Sequence, residues 1–147
     1  MAPARRSLLD VNVLIALLDA SHVSHDAAMT WFAKEGGDGG WASCPITQNG
    51  CLRVMSQPTY ANPHPVAAIA VRLREAVATP AHQFWPDDLS LLASTRVDFS
   101  RIHGGRQLTD VYLLALAVER EGRLVTFDRA VPLAAVAGAT AAHLLVL

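Results

Sequence analysis

The segment SLLDVNVLIAL at residues 7–17 begins as a short apolar run, ends that run in an aspartate, and continues with helix-like spacing. A short apolar run of this kind predicts a buried strand, and Asn12 after it favours the start of a helix. A carboxylate buried at such a junction costs free energy unless it is paired or binds a cation. Asp10 is therefore the first candidate functional residue.

Two further aspartates occupy matching positions along the chain. Asp128 follows the run LVTF at 124–127, and Asp110 opens the apolar stretch from Val111 to Val118. In an α/β fold the carboxyl ends of parallel strands and the starts of helices face one crevice. Each aspartate alone is explained as a helix cap or as a charge that complements a helix dipole. Three in matching positions instead predict one site for a hard divalent cation.

The rest of the chain alternates between strand-like and helix-like segments, without an internal repeat or a linker. Strands are expected at 7–10, 41–44, 82–85, 123–127 and 143–147. Helices are expected at 12–18, 24–34, 47–55, 65–78, 88–93 and 109–120, with a short helix after Asp128 and a turn at 36–40. This alternation predicts an α/β fold with a central, mainly parallel sheet flanked by helices. The length of 147 residues suits a single domain over 1–147.

Composition excludes few functions. Twelve basic residues face thirteen acidic ones, so the net charge of −1 indicates neither a nucleic-acid binder nor an acidic tail. Without the three candidate acids, the same twelve bases outnumber ten acids, which suits an anionic substrate that approaches an acidic cavity. Cys44 and Cys51 are too few for a disulfide framework, and we expect them to be reduced.

The first residues, Met1 to Arg6, lead into an apolar run that Asp10 and Asn12 interrupt, which is not typical of a signal peptide. The sequence contains no run of 18 apolar residues, so no membrane span is expected. Together with the two cysteines, these features predict a cytoplasmic protein.

Five segments together resemble a known family. They are LLDVNVLIAL at 8–17, QLTDVYLLALA at 107–117, LVTFDR at 124–129, CPITQNGCLR at 44–53 and HQFWPDDL at 82–89. The first three look like the acidic motifs of PIN-domain ribonucleases and are most similar to those of the VapC toxins of bacterial toxin–antitoxin pairs. The last two resemble the branch of VapC toxins that is abundant in mycobacteria. The resemblance covers nearly the whole chain and implies a PIN-like three-layer α/β fold.

The resemblance also implies roles for individual residues. Asp10, Asp110 and Asp128 become the metal-binding and catalytic carboxylates, and Gln48 stands where the family often carries a fourth acid. Glutamine keeps a carbonyl oxygen but loses the charge, which favours one tightly held Mg²⁺, or Mn²⁺ in its place, over two ions. Asn12 is expected either to cap its helix or to hold a carboxylate in one rotamer. Thr109 is expected to assist in the same way or to bind the metal weakly.

Basic and aromatic residues supply further candidates. His103, Arg53 and Arg129 are candidates for contact with RNA phosphate, although either arginine could equally be solvated or ion-paired. A zinc site at His22 and His25 lacks further ligands, so surface or capping roles are expected there. The three tryptophans could stack on bases, but their spacing favours packing in the core: Trp31, Trp41 and Trp85.

The function predicted on this basis is a metal-dependent endoribonuclease toxin that cleaves tRNA or rRNA with an activated water. The resemblance implies a homodimer that a VapB-type antitoxin inhibits. One alternative is a binding module that has lost its chemistry at Gln48 and acts through antitoxin or operator binding. The other is a metal phosphohydrolase with a small-molecule substrate, although no GxxxxGK[ST] loop is present.

Overall fold

A central sheet of five parallel strands organises the protein, whose computed structural model describes residues 4–36 and 38–147. The strands are β1 (Ser7–Leu9), β2 (Trp41–Ser43), β3 (His82–Phe84), β4 (Arg123–Thr126) and β5 (Leu144–Val146), in the spatial order β3-β2-β1-β4-β5. The expected α/β fold is confirmed, and every strand pair is parallel. Residues 1–3 and 37 lie outside the described residues, and with them part of the N-terminal segment and of the expected turn at 36–40.

Helices connect the strands and cover both faces of the sheet. The α-helices are α1 (Val11–Leu18), α2 (His25–Trp31), α3 (Pro45–Met55), α4 (Val66–Val77) and α5 (Leu108–Glu119). A π-helical turn extends α2 through Phe32–Gly36, and single 3-10 turns lie at Phe99–Arg101, Gly105–Gln107, Leu133–Ala135 and Ala141–His143. None of the helices in the described ranges is long and apolar enough to cross a membrane.

Successive side chains of each strand point to opposite faces of the sheet, and this divides the core into two layers. Leu8 packs with α5 on one face of the sheet, whereas Leu9 packs with α1, α3 and α4 on the other. The three tryptophans are buried in these layers, as expected: Trp31, Trp41 and Trp85. Both cysteines are free and buried, and burial raises the pKa of Cys44 and of Cys51 to about 11.

Two expected helices do not form. Residues 88–93 adopt coil and turn because their polar neighbours bond to other elements: Asp87 accepts the Ile46 N–H at 3.2 Å, and Asp88 pairs with Arg120 at 2.8 Å. The segment after Asp128 contains only the 3-10 turn at Leu133–Ala135. The last strand begins at Leu144, because His143 belongs to a 3-10 turn.

The order of the strands places a crevice at the centre of the sheet. From β1 the chain passes to β2 and β3 on one side, then returns to pair β4 on the other side of β1. A reversal of strand order opens a crevice at the carboxyl ends of the two central strands. Asp10 directly follows β1, and Asp128 lies two residues beyond β4. Both acids therefore belong to this crevice.

Candidate active site

Asp10 is held firmly at the base of the crevice. It is only 7% exposed and caps α1: Oδ1 accepts the Val11 N–H at 2.7 Å, while Oδ2 accepts the Thr126 hydroxyl at 2.7 Å. Burial raises the pKa of Asp10, with a further contribution from the negative charge of Asp128, and the two hydrogen bonds oppose that rise. The carboxylate is therefore buried, oriented and close to a second acid.

Asp110 stands in the first turn of α5, beside the other two acids. Burial, followed by the charges of Asp10 and Asp128, raises the pKa of Asp110 to about 7. None of the three acids forms an ion pair in the described residues, where the ion pairs are Arg96–Glu119, Arg101–Asp98 and Arg120–Asp88. The crevice thus contains three neighbouring acids without a basic partner.

Asp128 is positioned by the turn that ends β4. Its N–H donates to Thr126 Oγ1 at 3.0 Å, and its Oδ1 accepts the Ala130 N–H at 2.8 Å. This side-chain-to-backbone turn replaces the helix that the sequence predicts after Asp128. The Asp128 side chain also forms a hydrogen bond with the carboxyl group of Asp110, which contributes to the raised pKa of Asp110.

Thr126 links the site together, and sequence reasoning missed it. Its fully buried hydroxyl donates to Asp10 and accepts from Asn12 Nδ2 at 3.3 Å and from the Asp128 N–H. Asn12 is not the cap of α1, which is Asp10; its Oδ1 instead accepts the Phe127 N–H at 3.3 Å. The spacing of Thr126 and Asp128 was the available signal, because a hydroxyl often accepts the N–H two residues on.

A cavity of about 420 Å³ opens above Asp110 and Asp128. Its other lining residues are Ala130 and the segment His103, Gly104, Gly105, Arg106 and Gln107. The structure therefore places His103 beside the acids. Thr109 is exposed, and its hydroxyl forms no hydrogen bond within the described part of the chain.

Gln48, Arg53 and Arg129 do not line this cavity. Gln48 Nε2 donates to Ser43 Oγ at 3.0 Å, and Gln48 lines a separate cavity with residues of α4, so the structure does not bring it into the cavity of Asp110. Arg53 is exposed on α3, and Arg129 is exposed directly after Asp128. Neither arginine has an ion pair among the residues described.

The two paired histidines are local structural residues. His22 Nδ1 accepts the Ser24 N–H at 3.0 Å, and the His25 ring donates to the Ala16 carbonyl at 2.7 Å. Neither side chain caps α2, whose N-cap residue Ser24 has no side-chain cap hydrogen bond, so both histidines bond locally to the backbone instead.

The atoms in the crevice that could bind a metal ion suit a hard cation, since all of them are oxygens of carboxylates and of one hydroxyl. As the side chains stand, no group of three acids, histidines or cysteines in the described ranges is close enough to hold a metal ion. Repulsion between uncompensated carboxylates opposes a closer approach. A cation would remove that repulsion, and Mg²⁺ needs only a few carboxylates because it retains several waters.

Comparison with known proteins agrees with this geometry. The PIN domain family matches residues 7–139, a range that contains all three aspartates. Ribonuclease VapC44 of Mycobacterium tuberculosis is 52% identical over 139 residues, which cover 95% of this chain and 97% of that protein. Ribonuclease VapC39 of the same organism is 43% identical over 133 residues, which cover 90% of this chain and 95% of that protein. The chain therefore belongs to the PIN-domain family and, within it, to the VapC group.

Proposed function

We propose that this protein is a metal-dependent endoribonuclease, the toxin of a toxin–antitoxin pair, and that it cleaves structured RNA such as tRNA or rRNA. The observation that carries the proposal is the cluster of Asp10, Asp110 and Asp128 in one crevice without a cationic partner. Relatives that bear the name ribonuclease over nearly the full chain support the same reaction class.

The three aspartates would hold Mg²⁺, with Mn²⁺ as a substitute. When bound, the ion lowers the pKa of a water to make a nucleophile and offsets charge on the phosphate. In the absence of the ion, the carboxyl group of Asp110 is protonated in about half of the molecules at neutral pH, because its pKa is raised to about 7. Binding of the ion would release that proton.

The protein's own contribution is orientation and charge. Thr126 fixes the Asp10 carboxylate through its hydroxyl, and the turn after β4 fixes Asp128. His103 and Arg106 line the same cavity as Asp110 and Asp128, where they would contact the phosphate backbone of RNA. In-line attack of water on the phosphodiester would leave a 5′-phosphate and a 3′-hydroxyl.

Cleavage of a labelled RNA after chelation and metal add-back tests this proposal. Mg²⁺ and Mn²⁺ should restore cleavage, whereas Ca²⁺ should restore it poorly because its looser shell orients water less strictly. Asp10→Asn should abolish cleavage, while the control Asp26→Asn, at an exposed position on α2, should not. Full activity in excess chelator would refute the mechanism. Binding without cleavage under every condition would favour the binding-module alternative.

A VapB-type antitoxin and a second copy of the chain are the proposed partners. An apolar cleft of about 340 Å³ between α1, α2 and α4 is suited to the apolar face of an antitoxin helix. Met29 lines this cleft and is 44% exposed. Met29→Glu should therefore weaken inhibition by the antitoxin while leaving RNA cleavage intact. Loss of cleavage, or unchanged inhibition, would refute this assignment of the cleft.

A further inference from the structure

The loop from His103 to Arg106 forms one wall of the cavity that Asp110 and Asp128 also line, and this wall has few restraints of its own. The segment from His103 to Arg106 is exposed, and a Cβ built on Gly104 or Gly105 would meet no atom within 4 Å. The side chain of Arg106 forms no hydrogen bond or ion pair within the described part of the chain. Packing at these glycines therefore does not explain why the wall stands where it does.

Gln107 supplies the missing restraint. Its Oε1 accepts the His103 N–H at 2.8 Å, and its Nε2 donates to the Ala130 carbonyl at 3.2 Å. One amide thus closes the loop onto itself and ties it across the cavity to the turn that holds Asp128. The N–H of Gln107 also donates to the Gly104 carbonyl at 3.0 Å, which shapes the same loop.

The position of Gln107 in the chain explains how its side chain connects several elements. It ends the 3-10 turn at Gly105–Gln107 and directly precedes α5, so its backbone is continuous with the helix that carries Asp110. It is half-buried, whereas the loop residues before it are exposed. Its side chain does not cap α5, because both ends of the amide are used in the bridge. Loop, helix and turn are therefore held in one arrangement by this side chain.

We propose that Gln107 is a positioning residue, which sets the distance between the His103–Arg106 wall and the acids Asp110 and Asp128 so that an RNA phosphodiester fits between them. The inference rests on the proposed ribonuclease function. A wall that contacts the phosphate backbone acts alike in the ground state and the transition state, so its displacement should raise KM more than it lowers kcat.

The test replaces the amide with a side chain of similar length. Gln107→Met removes both hydrogen bonds, and Gln57→Met is the matched control, since Gln57 is exposed and its side chain forms no hydrogen bond in the described ranges. We expect roughly a tenfold rise in KM for RNA with kcat within about twofold, from the loss of two partly exposed hydrogen bonds. The His103 amide should also exchange faster with solvent in Gln107→Met, as measured by NMR.

A double-mutant cycle separates positioning from a general structural role. Arg106→Ala alone should raise KM, and in the Gln107→Met background it should add little, because the wall is already displaced. Three outcomes would each overturn the inference and leave the ribonuclease proposal standing. They are additive increases of KM in the double variant, equal KM values for Gln107→Met and Gln57→Met, and a lower melting temperature of Gln107→Met with unchanged kinetics. A wild-type protein that cleaves no RNA would overturn both.

Discussion

Asp110→Asn should stabilise the metal-free protein at pH 8. Burial and the charges of Asp10 and Asp128 raise the pKa of Asp110 from 3.8 to about 7, so its ionised form is disfavoured in the folded state. At about 1.36 kcal/mol per pKa unit the unscreened limit is about 4 kcal/mol. The carboxyl group is about half-exposed, and solvent screening reduces the expected gain to about 1–2 kcal/mol. For a domain of this size that gain corresponds to about 3–6 °C in melting temperature.

The sign of the effect depends on pH. Because the folded pKa of Asp110 is raised above the unfolded value, the contribution of this group to the stability of the wild type is fully present below about pH 4 and is lost as pH rises through about 7. An asparagine cannot ionise, so the variant keeps this contribution to stability at every pH. The stability difference between Asp110→Asn and wild type should therefore be largest at pH 8 and should fall towards zero near pH 4.

Thermal or urea unfolding in chelator at both pH values measures this difference. Asp26→Asn is the control, because Asp26 lies in the first turn of α2, where loss of its charge should cost only a few tenths of a kcal/mol. Saturating Mg²⁺ should stabilise the wild type more than Asp110→Asn, because the ion binds only the folded cluster tightly. If Asp110→Asn is destabilised at pH 8 in chelator, the reasoning about uncompensated charge is wrong.

Three further predictions concern activity. Asp10→Asn and Asp128→Asn should each lower RNA cleavage by at least about 100-fold, because even the loss of a hydrogen-bond partner of a metal ligand costs about 10- to 100-fold. The circular dichroism spectrum should be unchanged, and toxicity retained at equal expression would refute the site. Gln48→Ala should lower the cleavage rate at saturating Mg²⁺ far less than Asp10→Asn does, since the Gln48 side chain bonds to Ser43. Equal losses of cleavage in the two variants would show that Gln48 is essential. Thr126→Val should cost about 1–3 kcal/mol of unfolding free energy and lower cleavage, because it leaves the Asp128 N–H unpaired. Thr126→Ser keeps the hydroxyl and should retain both the stability and the cleavage activity of the wild type.

Local patterns in the sequence determined the class of the fold. Short apolar runs that alternate with helical spacing predicted the parallel sheet, and the all-round apolar character of 111–118 predicted the burial of α5. Such patterns can be read from neighbouring residues, because the faces of strands and helices repeat every few positions. The same reasoning failed at 88–93, where Asp87 and Asp88 bond to distant elements instead of helping to start a helix.

The sequence also predicted that Asp10, Asp110 and Asp128 would meet, because each follows a strand or opens a helix and such ends converge in a parallel sheet. Only the tertiary structure revealed Thr126 as the link between two of them, Gln48 in a separate cavity, and Gln107 as the bridge across the site. Thr126 and Asp10 are 116 residues apart, and a hydrogen bond depends on positions within a few tenths of an ångström. Spacing along a chain can place a residue at the end of an element, but the partner of its side chain is decided by the packing of elements that are distant in sequence.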